Sequence, residues 1–205
     1  MDLGKSTLAK IIMGIQNQDK GSIILNGKDI SKKSIDARAK LGISFAFQQP
    51  VKFKGITVYD LLKLASKGEF KRQEACEILS KVGLCAKEYI DREVNDSLSG
   101  GELKRIEIAV VALRNSKITI FDEPEAGIDL WSFNHLIKIF EDMRNTIKGS
   151  ILLISHQEKI LNIADEIVLL NNGKIEKIGK KEDVMESIIQ AEENKCCKLG
   201  GNNNE

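Results

Sequence analysis

Gly4-Lys5-Ser6-Thr7 stands at the start of a helical pattern that runs from Ser6 to about Ile15, with Leu8, Ile11, Ile12 and Ile15 on one face. These residue types in this order suit an anion. Glycine lets the backbone wrap a phosphate, and a helix N-terminus offers free N–H groups and a partial positive charge. Lys5 would reach the β- and γ-phosphates of a nucleotide, the Ser6 hydroxyl would ligate Mg²⁺, and Thr7 would add an α-phosphate contact. A second group lies in Ile118-Thr119-Ile120-Phe121-Asp122-Glu123. There an apolar strand delivers two acids to its C-terminal end, where α/β proteins bind ligands. Asp122 would hold Mg²⁺, directly or through water, and Glu123 would orient or deprotonate an attacking water.

A third group is Leu98-Ser99-Gly100-Gly101-Glu102. Its glycines leave backbone N–H groups open at a helix start and Ser99 adds a hydroxyl, which makes a second anion site. One subunit need not bring both helix N-termini to the same phosphate. Two subunits facing head to tail would bring one of each to every nucleotide.

The elements that must position these residues alternate. Ser22–Leu25 reads as a strand before the turn Asn26-Gly27, and Leu41–Phe47 as a second short strand. Thr57–Ala65 and Arg72–Val82 read as helices of mixed polarity, Gly100–Leu113 as an amphipathic helix, and Leu130–Ile147 as a long one. Ser150–Ile154 reads as a buried strand that leads to Ser155-His156. Ile167–Leu170 and Lys174–Ile178 flank a hairpin turn at Asn171-Asn172-Gly173, and Lys180–Gln190 reads as a final helix. Short apolar strands alternating with helices predict an α/β fold with a mostly parallel sheet.

The order GKST, a Gln after a strand, LSGGE, an apolar strand ending in Asp-Glu, and Ser-His resembles the ATP-binding subunits of the ABC superfamily, up to about Glu186. The resemblance implies a P-loop NTPase domain over 1–190, with a helical subdomain at about 51–95 that continues into the signature helix 99–113. It implies ATP and Mg²⁺ as ligands, ATP hydrolysis as the activity, and a head-to-tail nucleotide-sandwich dimer. Gln48 or Gln49 matches the family's lid-connecting Gln, which senses Mg²⁺ and the γ-phosphate; Gln48, the first after the strand, is preferred. Asp129 in Ala126-Gly127-Ile128-Asp129 matches the inter-subunit Asp, and His156 matches the γ-phosphate switch histidine. The segment from Ala46 to Ile56, the helix from Leu98 through Ile108, and Glu125-Ala126-Gly127-Ile128-Asp129 look like the SufC-type ATPase of SUF iron–sulfur assembly. That makes soluble SUF-type scaffold proteins the leading partners. The membrane subunit of a transporter is the alternative, and a non-catalytic remnant that only binds a partner is a third reading.

The family's phosphate loop reads G-x-x-G-x-G-K-[ST], whereas Met1, Asp2 and Leu3 precede Gly4 here, and Asp2 stands at a usual glycine position. A carboxylate beside a triphosphate is repelled, and its Cβ obstructs the tight turn. The expectation is a chain without its first strands, short by about 25–40 residues, which as written binds ATP poorly. Composition sets the remaining bounds. Lys+Arg 31 against Asp+Glu 30 leaves no bulk charge to favour nucleic acid or an anionic membrane. With no apolar run of membrane-spanning length and no signal peptide, a cytoplasmic protein is expected. Cys76 and Cys85 read as packed or free thiols, Cys196-Cys197 as exposed tail thiols, and Ala191–Glu205 as a disordered tail.

Overall fold

The computed structural model describes residues 4–66 and 68–188. Asp2, the Cys196-Cys197 pair and the polar tail from Ala191 lie outside the described residues. The described residues form two compact units, 6–155 and 4–5 with 156–188.

The larger unit is built on a three-stranded parallel sheet in the order β3 (Ile43–Ala46), β4 (Ile118–Asp122), β5 (Ser150–Ile154). The central strand β4 is buried along nearly its whole length, so it reads as a continuous apolar run rather than an alternating one. Helix α1 (Lys5–Met13) lays Ala9 and Met13 on this sheet, and they cluster with Leu25, Ile30, Ile43, Ile120 and Ile154. On α7 (Leu130–Thr146), Phe140 meets Phe121 edge to face with centroids 5.0 Å apart. Gly149, in the turn into β5, is a close-approach glycine: a Cβ there would lie 2.2 Å from the Ser116 carbonyl oxygen.

The strand expected over Ser22–Leu25 shortens to β1 (Ile24–Leu25), paired antiparallel with β2 (Lys28–Asp29) through Asn26-Gly27, both at positive φ. The Ile23 N–H leaves the ladder because it donates to the Ser31 hydroxyl at 2.8 Å. Helix α2 (Ile35–Lys40) was not legible because its pattern is inverted: Ile35 faces out and Arg38 is buried. The Arg38 guanidinium, 3% exposed, donates to the carbonyls of Ile11, Ile12, Ser31 and Lys33 at 2.6–3.0 Å. It thereby satisfies the last carbonyls of α1.

Between β3 and β4 the chain is helical. Helix α3 (Val58–Ala65), opened by a capping box at Thr57 and Asp60, packs on α4 (Arg72–Lys81) and on α6 (Gly100–Leu113). The short α5 (Ala86–Tyr89) packs on α4. Cys76 and Cys85 are exposed free thiols.

In the smaller unit α8 (Glu158–Asn162) precedes the antiparallel hairpin β6 (Glu166–Asn171) and β7 (Lys174–Lys180). The hairpin turns at Asn172-Gly173, again with both φ positive. Helical residues 181–188 follow. Val184 is fully buried against Gly179 of the hairpin, and the Lys177 ammonium donates to the Asp183 carbonyl at 2.8 Å. Lys180, read above as the first residue of the helix, is the last of β7.

Candidate functional site

Strand register places the first part of the site. Ala46 of β3 lies opposite Phe121 of β4, so the residues two beyond each, Gln48 and Glu123, leave the sheet side by side. The Gln48 side-chain amide donates to Glu123 Oε2 at 2.7 Å. Gln48 rather than Gln49 is thus the residue beside the carboxylate. Glu123 adopts φ +45°, a left-handed conformation that a non-glycine residue takes only at a cost. Its N–H donates to the Ile154 carbonyl at 3.0 Å, which anchors the turn to the end of β5.

One residue earlier Asp122, 2% exposed, lies opposite Ile154 at the end of the β4–β5 ladder. The Ser6 hydroxyl, at the start of α1, donates to Asp122 Oδ1 at 2.7 Å. Their separation of 116 positions along the chain is closed by packing α1 on the sheet. Thr7 is half-buried on the same helix. Gly4, at φ +87°, and Lys5 belong to the smaller unit, as does His156. His156 follows β5 by two residues, is exposed, and has its Nε2 3.5 Å from the Gln157 amide nitrogen.

Ser99 caps α6. Its hydroxyl accepts from the Glu102 N–H at 3.3 Å, and its own N–H donates to Glu102 Oε2 at 2.7 Å. The Tyr89 hydroxyl donates to the other Glu102 oxygen at 2.5 Å. Partial burial works against the charge on Glu102, but the hydrogen bonds from Tyr89 and Ser99 outweigh it and hold the carboxyl below its ordinary value. Among the described residues, nothing beyond the chain neighbours and the helix's own backbone stands within 4 Å of where a Cβ on Gly100 or Gly101 would be, so the helix start is open. Asp129 accepts from the Ser132 N–H at 3.0 Å at the entry to α7.

Sequence reasoning missed two contacts. Ser155 donates to one Glu125 oxygen, tying the turn after β4 to the end of β5, and the other Glu125 oxygen is buried without a hydrogen-bond partner among the described residues. Lys104 and Glu107, on the apolar face of α6, grip the peptide just before Gln48. The Lys104 ammonium donates to the Phe47 carbonyl and to Glu107 Oε2, and Glu107 Oε1 accepts from the Phe47 N–H at 2.9 Å. Burial pushes the Glu107 carboxyl up, opposed by Lys104 and the Phe47 N–H. The signal available in the sequence was a charged residue at a core position of an amphipathic helix. Beside this contact, Phe47, Val51, Phe53, Leu61 and Val94 line an apolar cavity of about 210 Å³.

The ABC transporter family model matches residues 3–126. An uncharacterized ABC transporter ATP-binding protein of Methanocaldococcus jannaschii is 39% identical over 204 residues, covering 95% of this chain and 80% of the relative. The lipopolysaccharide export system ATP-binding protein LptB of Haemophilus influenzae is 31% identical over 188 residues, covering 89% and 77%. Among solved structures, an ATP-binding cassette of an ABC transporter superposes with a TM-score of 0.74 at 27% identity, covering 89% of this chain and 79% of that one.

Proposed function

Because this chain belongs to the ABC transporter ATP-binding family, we propose that it binds Mg²⁺–ATP and hydrolyses it to ADP and phosphate as the ATP-binding subunit of an ABC-type complex. The observation that carries this reading is the pair of 2.7 Å contacts at the C-terminal ends of β3 and β4, Ser6 on Asp122 and Gln48 on Glu123. The fit to Mg²⁺ is chemical. A buried carboxylate needs a counter-charge, and the hydroxyl and carboxylate oxygens are hard donors. Ser6, Asp122 and the Gln48 side-chain oxygen would hold the ion, which when bound neutralises charge on the phosphate oxygens.

This chain's own residues do the rest. Gly4, Lys5, Ser6 and Thr7 bind the phosphates at the start of α1. Glu123 orients or deprotonates the attacking water. Gln48 engages one oxygen of that carboxylate and leaves the other for the water. His156 contacts the γ-phosphate and responds to its loss. Ser99, Gly100 and Gly101 of a second copy close on the γ-phosphate, and Asp129 acts across that interface, so the hydrolysing species is a head-to-tail dimer. The domain spans 1–190, with its helical arm at about 51–95 running into helix 99–113. The test is Glu123→Gln in the native protein. Binding of a nonhydrolysable ATP analogue should persist, and turnover should fall by about 10²–10⁴-fold. Turnover at the parent rate would remove Glu123 from this role.

For the partner, the names of the relatives favour the membrane subunit of a transporter. The apolar cavity beside Gln48 is the surface it would grip. The SUF-type scaffold, preferred from sequence, becomes the second reading. It is supported by the segment from Ala46 to Ile56 and by Glu125-Ala126-Gly127-Ile128-Asp129. Affinity capture of the native protein from fractionated cells distinguishes them. A transporter subunit should bring down an integral membrane protein from the membrane fraction, and a SUF-type subunit a scaffold from the soluble fraction.

A further inference from the structure

A lysine that is 1% exposed is unusual in any core, and Lys104 is among the largest fully buried side chains of the described residues. Its ammonium is spent on one place. It donates to the Phe47 carbonyl, reaches the Gln48 carbonyl at 3.4 Å, and pairs with Glu107 Oε2 at 3.1 Å. Glu107, three residues along α6, returns to the same peptide and accepts from the Phe47 N–H at 2.9 Å. Both polar groups of Phe47, the first residue past the end of β3, are therefore held by one ion pair on α6 rather than by the sheet ladder. The next residue is Gln48, whose amide reaches Glu123 at 2.7 Å.

A buried ion pair is a poor source of stability, because desolvation offsets the attraction and an apolar pair of the same volume often serves as well. What such a pair supplies is direction. It fixes a backbone segment that has no strand partner of its own. We infer that Lys104 and Glu107 are positioning residues for the hydrolytic site: they clamp the Phe47 peptide, set where Gln48 presents its amide to Glu123, and tie that placement to α6, whose N-terminus is the Ser99–Gly101 anion site. This deepens the ATPase reading and rests on it. Lys104 contacts the Phe47 and Gln48 carbonyls and Glu107, not the Glu123 carboxylate; it acts through Gln48.

The test has two arms on the native protein. In the first, steady-state ATPase is measured for the parent, Lys104→Met, Lys104→Arg and Glu107→Gln, each alone and with Gln48→Ala. Loss of positioning should lower kcat by roughly tenfold or more with KM for ATP changed less than about twofold. Arginine, which keeps charge and donors, should recover most of the loss. Neither Lys104→Met nor Glu107→Gln should lower kcat further once Gln48 is alanine. In the second arm, the Gln48 side-chain amide is followed by ¹⁵N NMR, assigned by its loss in Gln48→Ala. Its resonance should move on Glu123→Gln in the parent, and lose that response in Lys104→Met or Glu107→Gln. Glu107→Gln keeps both arms decisive if Lys104→Met does not fold. Unchanged kcat in a folded variant, or a further loss in the Gln48→Ala background, would overturn the proposal, as would an amide that still responds to Glu123→Gln. If the parent shows no turnover that depends on Glu123, the ATPase reading fails, and the NMR arm still decides whether the clamp positions Gln48.

Discussion

Glu123 shows at the level of one residue what the site demands. A glutamate at φ +45° forgoes about 1–2 kcal/mol of backbone preference. It is held there by its own N–H donating to the Ile154 carbonyl and by its carboxylate accepting from the Gln48 amide. Ala and Gly at this position both remove the carboxylate, so their difference isolates the backbone. Glu123→Gly should be more stable than Glu123→Ala by about 1 kcal/mol in urea melts. Equal stabilities would mean that the turn relaxes and stores no strain. Gly149 makes the complementary case of space rather than angle. Gly149→Ala pushes a methyl to 2.2 Å from a backbone oxygen and should lower stability by about 2 kcal/mol or more.

Two helices carry the proposed phosphate-binding ends, and each is held in its own way. The C-terminal carbonyls of α1 are taken up by Arg38, so Arg38→Met leaves several buried acceptors unmet. It should cost about 3 kcal/mol in chemical unfolding while the Ser6–Asp122 residues stay intact. Helix α6 is instead capped at its start by Ser99 and Glu102. Ser99→Ala should cost about 1 kcal/mol and Ser99→Gly only a few tenths. The pH dependence has a definite sign. The carboxyl of Glu102 is lowered in the folded state, so its contribution is present above the unfolded-state value and is lost as pH falls through the folded one. Acid unfolding curves of the parent and Glu102→Gln should therefore converge at low pH and separate toward neutrality. Curves separated by the same amount at every pH would show that Glu102 acts by shape and not by charge.

At the scale of the whole molecule, the proposed hydrolytic site needs a second copy for Ser99 and Asp129. Glu123→Gln with Mg²⁺–ATP should shift the native protein to a dimer in sedimentation or light scattering, and the parent should return to monomer as ATP is consumed. Monomer in both would sever the signature helix from the nucleotide chemistry. Among the described residues no helix is long and apolar enough to cross a membrane. A transporter reading therefore requires a separate membrane subunit or segments beyond the described residues, and capture from membranes tests for the former.

The sequence by itself determined the motifs and most elements. α6 runs over Gly100–Leu113 as read, and β4, β5, α3 and α7 fall within a residue or so of expectation. Periodicity and capping are local, and a Gly-rich helix start or an apolar strand ending in acids is legible without knowing its neighbours. It did not show α2, because the buried face of that helix is an arginine whose partners lie in the preceding loop and more than twenty residues back in α1. Nor could it choose firmly between Gln48 and Gln49, or give any role to Lys104 and Glu107. Those outcomes depend on strand register and on which helix crosses the end of β3, contacts made across 57 to 75 residues of chain. Tertiary structure decided them because a buried charge is tolerable only where folding brings its partner, and no local pattern records which partner that is.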